Sequence, residues 1–129
     1  MIKLVTDTNI VVSGTLVDKG PSAAILELAT SRQVQMFVSP PILAEYEKVL
    51  RRPRFKLDPA RITALLKLLA GVSIEVLPSR TLTTSQDETD NRFLECAEEA
   101  AADFLVTLQH PPFPHPVAND QDRHSQELY

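Results

Sequence analysis

Short apolar segments alternate along the chain with longer segments in which apolar residues recur at helical spacing. Residues 2–6 form a short apolar run with β-branched side chains, residues 34–39 and 72–77 alternate between apolar and polar positions, and residues 104–107 are again apolar. Segments of this length and composition predict strands. Apolar strands separated by helices indicate a parallel sheet that is covered on both faces.

Helix signals stand between and around these strands. The four predicted helices span residues 20–32, 39–50, 58–71 and 87–103. Ser39 and Asp58 are suitable cap residues, each is followed by proline, and Gly71 suits the end of the third helix. The polar residues that follow the first strand, Asp7-Thr8-Asn9 and Ser13-Gly14, predict turns. With no internal repeat and no interior linker, the pattern predicts one α/β domain.

Composition agrees with a single globular domain, because the chain has 129 residues, 43% of them hydrophobic and 23% charged. No apolar run approaches the ~20 residues of a membrane helix, and the N-terminus has no signal-peptide pattern, so we expect a cytoplasmic protein without a membrane partner. The lone cysteine, Cys96, predicts a buried apolar side chain. The net charge of −4 argues against a passive nucleic-acid binder. It does not exclude a nuclease, because bound divalent cations would change the local charge.

Acidic residues stand where predicted strands end or where neighbouring helices begin. Asp7 follows the first strand, Glu45 lies in the first turns of the helix after the second strand, and Asp90 lies at the start of the helix before the last strand. In open parallel sheets, ligands bind beyond the carboxyl ends of the strands. Asp7 and Glu45 are easily placed there, and the loop before Asp90 is long enough to carry it across the crevice. Glu47 and Asp87 compete with Glu45 and Asp90 for these roles.

Together these segments carry a family resemblance that covers about residues 2–107. The segments that carry it are, in order, "LVTDTNIVVSGTL", "GPSAAILELA", "SPPILAEYEKVLRRPRF" and "DETDNRFLECAEEAAADFLVT". They resemble the PIN domain, specifically the VapC-like toxin components of toxin–antitoxin systems. The resemblance implies a three-layer α/β/α sandwich with a central parallel sheet and a ribonuclease activity that depends on Mg²⁺ or Mn²⁺. It also implies an RNA substrate, a cognate antitoxin that blocks the cleft, and a homodimer.

Carried over residue by residue, the resemblance assigns both catalysis and metal binding to Asp7, Glu45 and Asp90. The supporting polar positions would be Asn9, Ser13 and Thr107. The chemistry of the residue types is consistent with this, because Mg²⁺ prefers hard oxygen ligands and usually takes one or two carboxylates from a protein. Each acid also has an ordinary interpretation, as a turn or cap residue, a solvated helix residue or a partner of the helix dipole.

After Thr107 the chain departs from the family pattern. Family members usually continue into glycine and then Asp or Asn, which supplies a fourth polar group, whereas this chain has Leu108 and Gln109. We therefore expect a PIN-like domain over residues 1–108 and an atypical or truncated C-terminal end, with a proline-rich polar tail over residues 109–129. The candidates to replace the fourth group are Gln109, Asp103 and Asp120. The departure predicts weakened or absent activity.

The stretch "KVLRRPRFK" is a basic cluster that could position an RNA backbone, and its contact candidates are Arg51, Arg52 and Arg54. Cations in the last turn of a helix also complement its dipole without binding RNA. The tail histidines, His110, His115 and His124, could bind metal, although their irregular spacing around prolines favours a polyproline-like or disordered tail.

Two other function classes stay open at this stage. A catalytically weakened or inactive PIN-like module could bind a partner protein or a second copy through an uncovered strand edge. A phosphatase of the haloacid dehalogenase type would use a strand-end aspartate as its nucleophile. The sequence "DTN" lacks the second aspartate which that class requires two residues after the first.

Overall fold

A four-stranded, all-parallel sheet lies at the centre of the protein, for which a computed structural model describes residues 1–79, 81–83 and 88–107. The strands are β1 (Lys3–Thr6), β2 (Gln35–Val38), β3 (Ile74–Glu75) and β4 (Phe104–Val106). Their order across the sheet is β3-β2-β1-β4, and every pairing is parallel. The predicted parallel sheet is therefore confirmed, with β1 in an interior position beside β4.

Within the described residues, five helices flank this sheet and complete a three-layer α/β/α arrangement. They are α1 (Thr8–Leu16), α2 (Pro21–Thr30), α3 (Pro40–Leu50), α4 (Pro59–Val72) and α5 (Glu88–Ala100), and a 3-10 turn covers Pro53–Phe55. Proline at the first turn of α2, α3 and α4 explains why these starts were visible in the sequence, since its fixed φ suits that position. None of the helices in the described ranges is long and apolar enough to cross a membrane.

The turn predicted after the first strand is wrong, because the chain enters α1 directly. Asp7 is the N-cap of this helix, and its side chain accepts a hydrogen bond from the backbone N–H of Ile10. Aspartate and asparagine favour both turns and helix caps, so their presence alone does not distinguish the two. The apolar residues that follow decide for a helix, since Ile10 and Val11 are completely buried.

Two smaller predictions also differ from the structure, whereas the end predicted for the third helix at Gly71 is confirmed to within one residue, since α4 ends at Val72. The third strand is limited to Ile74–Glu75. Ser39 occupies the N-cap position of α3, but its side chain makes no capping hydrogen bond. Its hydroxyl is buried and has no hydrogen-bond partner among the described residues.

The core fills the space between the sheet and its helices. Val5, Met36 and Leu105 are buried at 1% exposure or less on the three longer strands. Cys96 on α5 belongs to this core, as predicted, and burial raises the pKa of its thiol to about 12. The predicted tail, together with Asp87, Gln109, Asp120 and the three histidines, lies outside the described residues.

Candidate active site

Asp7 stands at the carboxyl edge of the sheet, where two elements hold its carboxylate in place. Oδ1 accepts a hydrogen bond from the N–H of Ile10 at 3.0 Å, and Oδ2 accepts one from the Thr107 hydroxyl at 2.5 Å. The backbone N–H of Asp7 also donates to the carbonyl of Val106 at 3.0 Å. The carboxylate is therefore anchored both to α1 and to the end of β4. Thr107, one of the polar positions that the resemblance assigned to the site, therefore contacts the carboxylate of Asp7 directly.

Burial dominates the electrostatics of Asp7. Only 4% of the residue is exposed, and this desolvation raises the pKa of its carboxyl group. The hydrogen bonds from Thr107 and from the backbone of Ile10 and Asn9 act in the opposite direction, with a smaller effect. A buried carboxylate with a raised pKa in a cleft is typical of functional sites. A cation bound beside it would stabilise its ionised form.

The three predicted acids line one cavity of about 250 Å³. Asp7 comes from the end of β1, Glu45 from α3 and Asp90 from the first turn of α5. The loop before α5 therefore does return Asp90 to the side of Asp7, as the sequence allowed. Asn9 lines the same cavity. The structure thus brings together acids that lie far apart in the sequence.

The donor chemistry of this cavity fits a hydrated divalent cation better than a cage built of protein side chains alone. No three His, Cys, Asp or Glu side chains within residues 1–79, 81–83 and 88–107 lie close enough together to hold one metal ion. Mg²⁺ commonly keeps several waters and takes only one or two carboxylates. Both oxygens of Asp7 also retain acceptor capacity beyond the hydrogen bonds they accept.

Tyr46 connects the strand that carries Asp7 to the helix that carries Glu45. Its hydroxyl donates to the backbone carbonyl of Thr6 at 2.6 Å and lies 3.1 Å from the Thr6 hydroxyl. The ring is completely buried and packs against Phe93. Burial raises the pKa of Tyr46, so its hydroxyl stays protonated as a donor. Tyr46 and Thr6 are chain neighbours of Glu45 and Asp7. Their contact therefore ties the segment of α3 that carries Glu45 to the end of β1 that precedes Asp7.

Thr8 is a polar residue of the site that the sequence analysis did not single out. It lines the cavity at the start of α1, and its hydroxyl is buried without a hydrogen-bond partner among the described residues. Unpaired buried hydroxyls are uncommon because they lose their interactions with water. Its position between Asp7 and Asn9 was the feature of the sequence that could have indicated a place in the site. The sequence could not show that its side chain would be buried.

Basic residues form one wall of the cavity. Arg52 and Arg54 line it together with Phe55, and the Arg54 guanidinium lies 4.9 Å from the centre of the Phe55 ring. Arg51, the third predicted RNA contact, is directed elsewhere. It forms a salt bridge with Glu47 at 2.9 Å and does not line the cavity.

The structure also separates the competing candidates. Glu47 pairs with Arg51 outside the cavity, so Glu45 is the acid of α3 that faces Asp7. Ser13 does not line the cavity. Asp103 accepts a hydrogen bond from the backbone N–H of Lys3 at 2.8 Å, at the start of β1. It therefore lies at the opposite edge of the sheet and cannot substitute for a fourth group near Asp7.

Comparison with known proteins agrees with this architecture. A family model of the PIN domain, which is generally a nuclease-type fold and typically uses divalent metals, matches residues 3–110. An uncharacterized protein of Methanocaldococcus jannaschii is 30% identical over 109 residues, which cover 82% of this chain and 70% of that protein. The family match includes all four strands and the three acids of the cavity. The chain therefore belongs to the PIN domain family.

Proposed function

We propose that this PIN domain is a metal-dependent endoribonuclease whose active site is the cavity lined by Asp7, Glu45 and Asp90. The observation that carries the proposal is the convergence of these acids with Arg52 and Arg54 in one cavity of about 250 Å³. Acids that attract a divalent cation and arginines that attract phosphate are both suited to metal-assisted phosphodiester hydrolysis.

The metal, which we propose to be Mg²⁺ or Mn²⁺, would be held at Asp7, Glu45 and Asp90, with one or two of these carboxylates bound to it directly and the remainder acting through its coordinated waters. When bound, the metal supplies an activated water and stabilises negative charge on the reacting phosphate. The sharing of the cavity by three carboxylates, one of them buried with a raised pKa, supports this assignment.

The other side chains have positioning roles in this proposal. Thr107 and the start of α1 orient the carboxylate of Asp7, and Tyr46 fixes α3 relative to β1. Arg52 and Arg54, at the wall of the cavity, would neutralise and orient the phosphate backbone of the RNA. In this proposal, the arginines bind the phosphate and the acids hold the metal.

The biological role that we propose is that of a toxin in a toxin–antitoxin pair, with a small antitoxin that covers the cavity. Its support is the family resemblance of the ordered sequence segments. We also propose a homodimer. Exposed apolar residues support it, since Ile74 in β3, Leu77 after this strand and Leu68 on the adjoining α4 are 48%, 75% and 46% exposed.

The test combines calorimetry with cleavage assays on the full chain. Mn²⁺ binding is measured for the wild type and for Asp7→Asn, and the same samples are incubated with structured and single-stranded RNA. We expect the wild type to bind Mn²⁺ and to cleave RNA only in its presence, and slowly, because the chain departs from the family pattern after Thr107. We expect Asp7→Asn to lose both properties while it stays folded, as judged by circular dichroism.

The converse result would favour a different function. A folded wild type that binds no Mn²⁺ and cleaves no RNA would contradict the nuclease proposal. It would support the second candidate, a PIN-like module that binds protein partners. The observation behind that candidate is the exposed apolar surface that Leu68, Ile74 and Leu77 form beside the edge strand β3.

A further inference from the structure

A second groove adjoins the candidate active site on the neighbouring face of α3. It has a volume of about 230 Å³ and is lined by Pro41, Ala44, Glu45, Lys48 and Arg92. Glu45 lines this groove and the active-site cavity alike. The groove and the active-site cavity are therefore neighbours, and the side chain of Glu45 marks the boundary between them.

The floor of the groove follows one face of α3. Pro41, Ala44 and Lys48 are spaced by three and four residues, which places them on the same side of a helix. Pro41 and Ala44 are small, apolar and exposed, so they leave a flat apolar surface. Such a surface suits the face of a sugar or a base, but not a charged side chain.

The rim of the groove is cationic. Lys48 is exposed on α3, and Arg92 faces it from α5. The guanidinium of Arg92 is held in place by Glu95, at 2.9 Å, and 28% of the Arg92 side chain remains exposed. Arg52 and Arg54 lie in the cavity on the opposite side of Glu45. Positive side chains therefore stand on both sides of the acid that separates the two spaces.

We propose that this groove binds the nucleotide next to the one held in the active-site cavity, so that single-stranded RNA crosses α3 at Glu45. Lys48 contacts the phosphate, and the surface of Pro41 and Ala44 supports the sugar or base. This inference rests on the proposed ribonuclease function. RNA fits better than a peptide because the apolar floor is small and is bordered by cations on the two sides where a phosphate backbone would pass.

The experiment uses steady-state cleavage with Mn²⁺ of two substrates, a p-nitrophenyl ester of a single nucleotide, which leaves the groove empty, and a longer single-stranded oligoribonucleotide. The variants are Lys48→Gln and Ala44→Trp, which fills the groove from an exposed helix position. The matched control is Lys67→Gln, since Lys67 is an exposed lysine of α4 that does not line the groove.

For Lys48→Gln we expect the KM of the longer substrate to rise about two- to fivefold, as the loss of one exposed charge contact would give, with kcat unchanged. The slope of log KM against log salt should fall by about 0.7, corresponding to one phosphate contact on a single strand. Ala44→Trp should also raise the KM of the longer substrate. The mononucleotide ester should not distinguish these variants from the wild type, because it has no neighbouring nucleotide to reach the groove, and Lys67→Gln should change the KM of neither substrate.

The outcomes separate this inference from the function on which it rests. If the wild type cleaves RNA and both groove variants retain its KM for the longer substrate, the inference is overturned and the nuclease proposal stands. The groove would then be assigned to a protein ligand such as an antitoxin segment. If the wild type does not cleave, fluorescence anisotropy with the same labelled RNA decides. Absence of RNA binding, or binding that Lys48→Gln leaves unchanged, would overturn the inference as well.

Discussion

The carboxyl edge of the sheet and the interface between α1 and α2 are built in opposite ways, although α1 belongs to both. At the edge, Asp7 is buried with a raised pKa, and the hydroxyls of Thr8 and Ser39 are buried without partners among the described residues. At the interface, a Cβ on Gly14 would lie 2.6 Å from a Leu26 methyl carbon, which shows how closely the two helices approach.

The difference shows where this domain gains stability and where it gives stability up. Close apolar packing between α1 and α2 contributes free energy to folding, and any added volume there must displace a neighbour. Buried polar groups at the carboxyl edge cost free energy unless they acquire a ligand. A position that lowers stability while facing a cavity is typical of a functional site. Neutralising the buried carboxylate at the carboxyl edge should therefore raise the free energy of unfolding, whereas adding volume between α1 and α2 should lower it.

The largest change in stability is expected from Gly14→Ala. The added Cβ would meet the backbone carbonyl of Ser22 at 2.9 Å as well as Leu26, so α1 and α2 must move apart. We expect the free energy of unfolding to fall by about 1–3 kcal/mol, measured by urea denaturation. Gly71→Ala is the matched control. Gly71 lies in α4 with open space around it, so alanine should stabilise the helix by about 0.5–1 kcal/mol. Equal effects of the two substitutions would disprove the close-packing argument.

Tyr46→Phe should have an intermediate effect, and it should affect both stability and the site. It removes the hydroxyl that donates to the Thr6 carbonyl, and we expect a loss of about 0.5–1.5 kcal/mol in the free energy of unfolding. Mn²⁺ affinity should fall as well, because Glu45 is no longer held relative to Asp7. Thr6→Val is the control, since it removes only the hydroxyl at 3.1 Å and keeps the carbonyl. A Tyr46→Phe variant with wild-type Mn²⁺ affinity would limit this tyrosine to a structural role.

Asp7→Asn should stabilise the metal-free protein at neutral pH, by roughly 1 kcal/mol, the ordinary size of a single-residue effect. Folding raises the pKa of Asp7 above its value in the unfolded chain, which is near 3.8. The contribution of Asp7 to the free energy of unfolding is therefore fully present below pH 3.8 and is lost as the pH rises through the pKa of the folded state. The asparagine side chain of the variant does not titrate. The difference in unfolding free energy between variant and wild type should therefore grow from acidic to neutral pH. A difference that is independent of pH would refute this account.

The smallest effect on stability is expected from Arg51→Ala. This exposed side chain pairs with Glu47, four residues earlier on the helix surface, and such pairs contribute about 0.3–0.5 kcal/mol. RNA cleavage should be unchanged, because Arg51 does not line the cavity. Arg52→Ala is the comparison, since Arg52 does line it and its loss should raise the KM for RNA. If both variants raised the KM equally, the basic cluster would act through its overall charge and not through the cavity wall.

Much of the fold could be predicted because its signals are local. The apolar strands, the prolines at the starts of α2, α3 and α4, and the cap at Asp58 depend on a few neighbouring residues. The prediction failed where one local signal has two meanings. Asp7-Thr8-Asn9 suits a turn as well as a helix start, and the burial of Ile10 and Val11 selects the helix. The third strand was also predicted too long, since its alternation continues past the residues that pair with β2.

The sequence by itself determined the parallel layered fold and placed Asp7 at the end of a strand, because both follow from short-range apolar periodicity and capping. Only the tertiary structure shows that Glu45 and Asp90 line the cavity and that Glu47 does not. It also shows that Asp103 lies at the opposite edge of the sheet. It also formed the contacts of Thr107 with Asp7 and of Tyr46 with Thr6, which join residues 100 and 40 positions apart. Such contacts depend on strand order and on how helices pack, and no local pattern of residues encodes them.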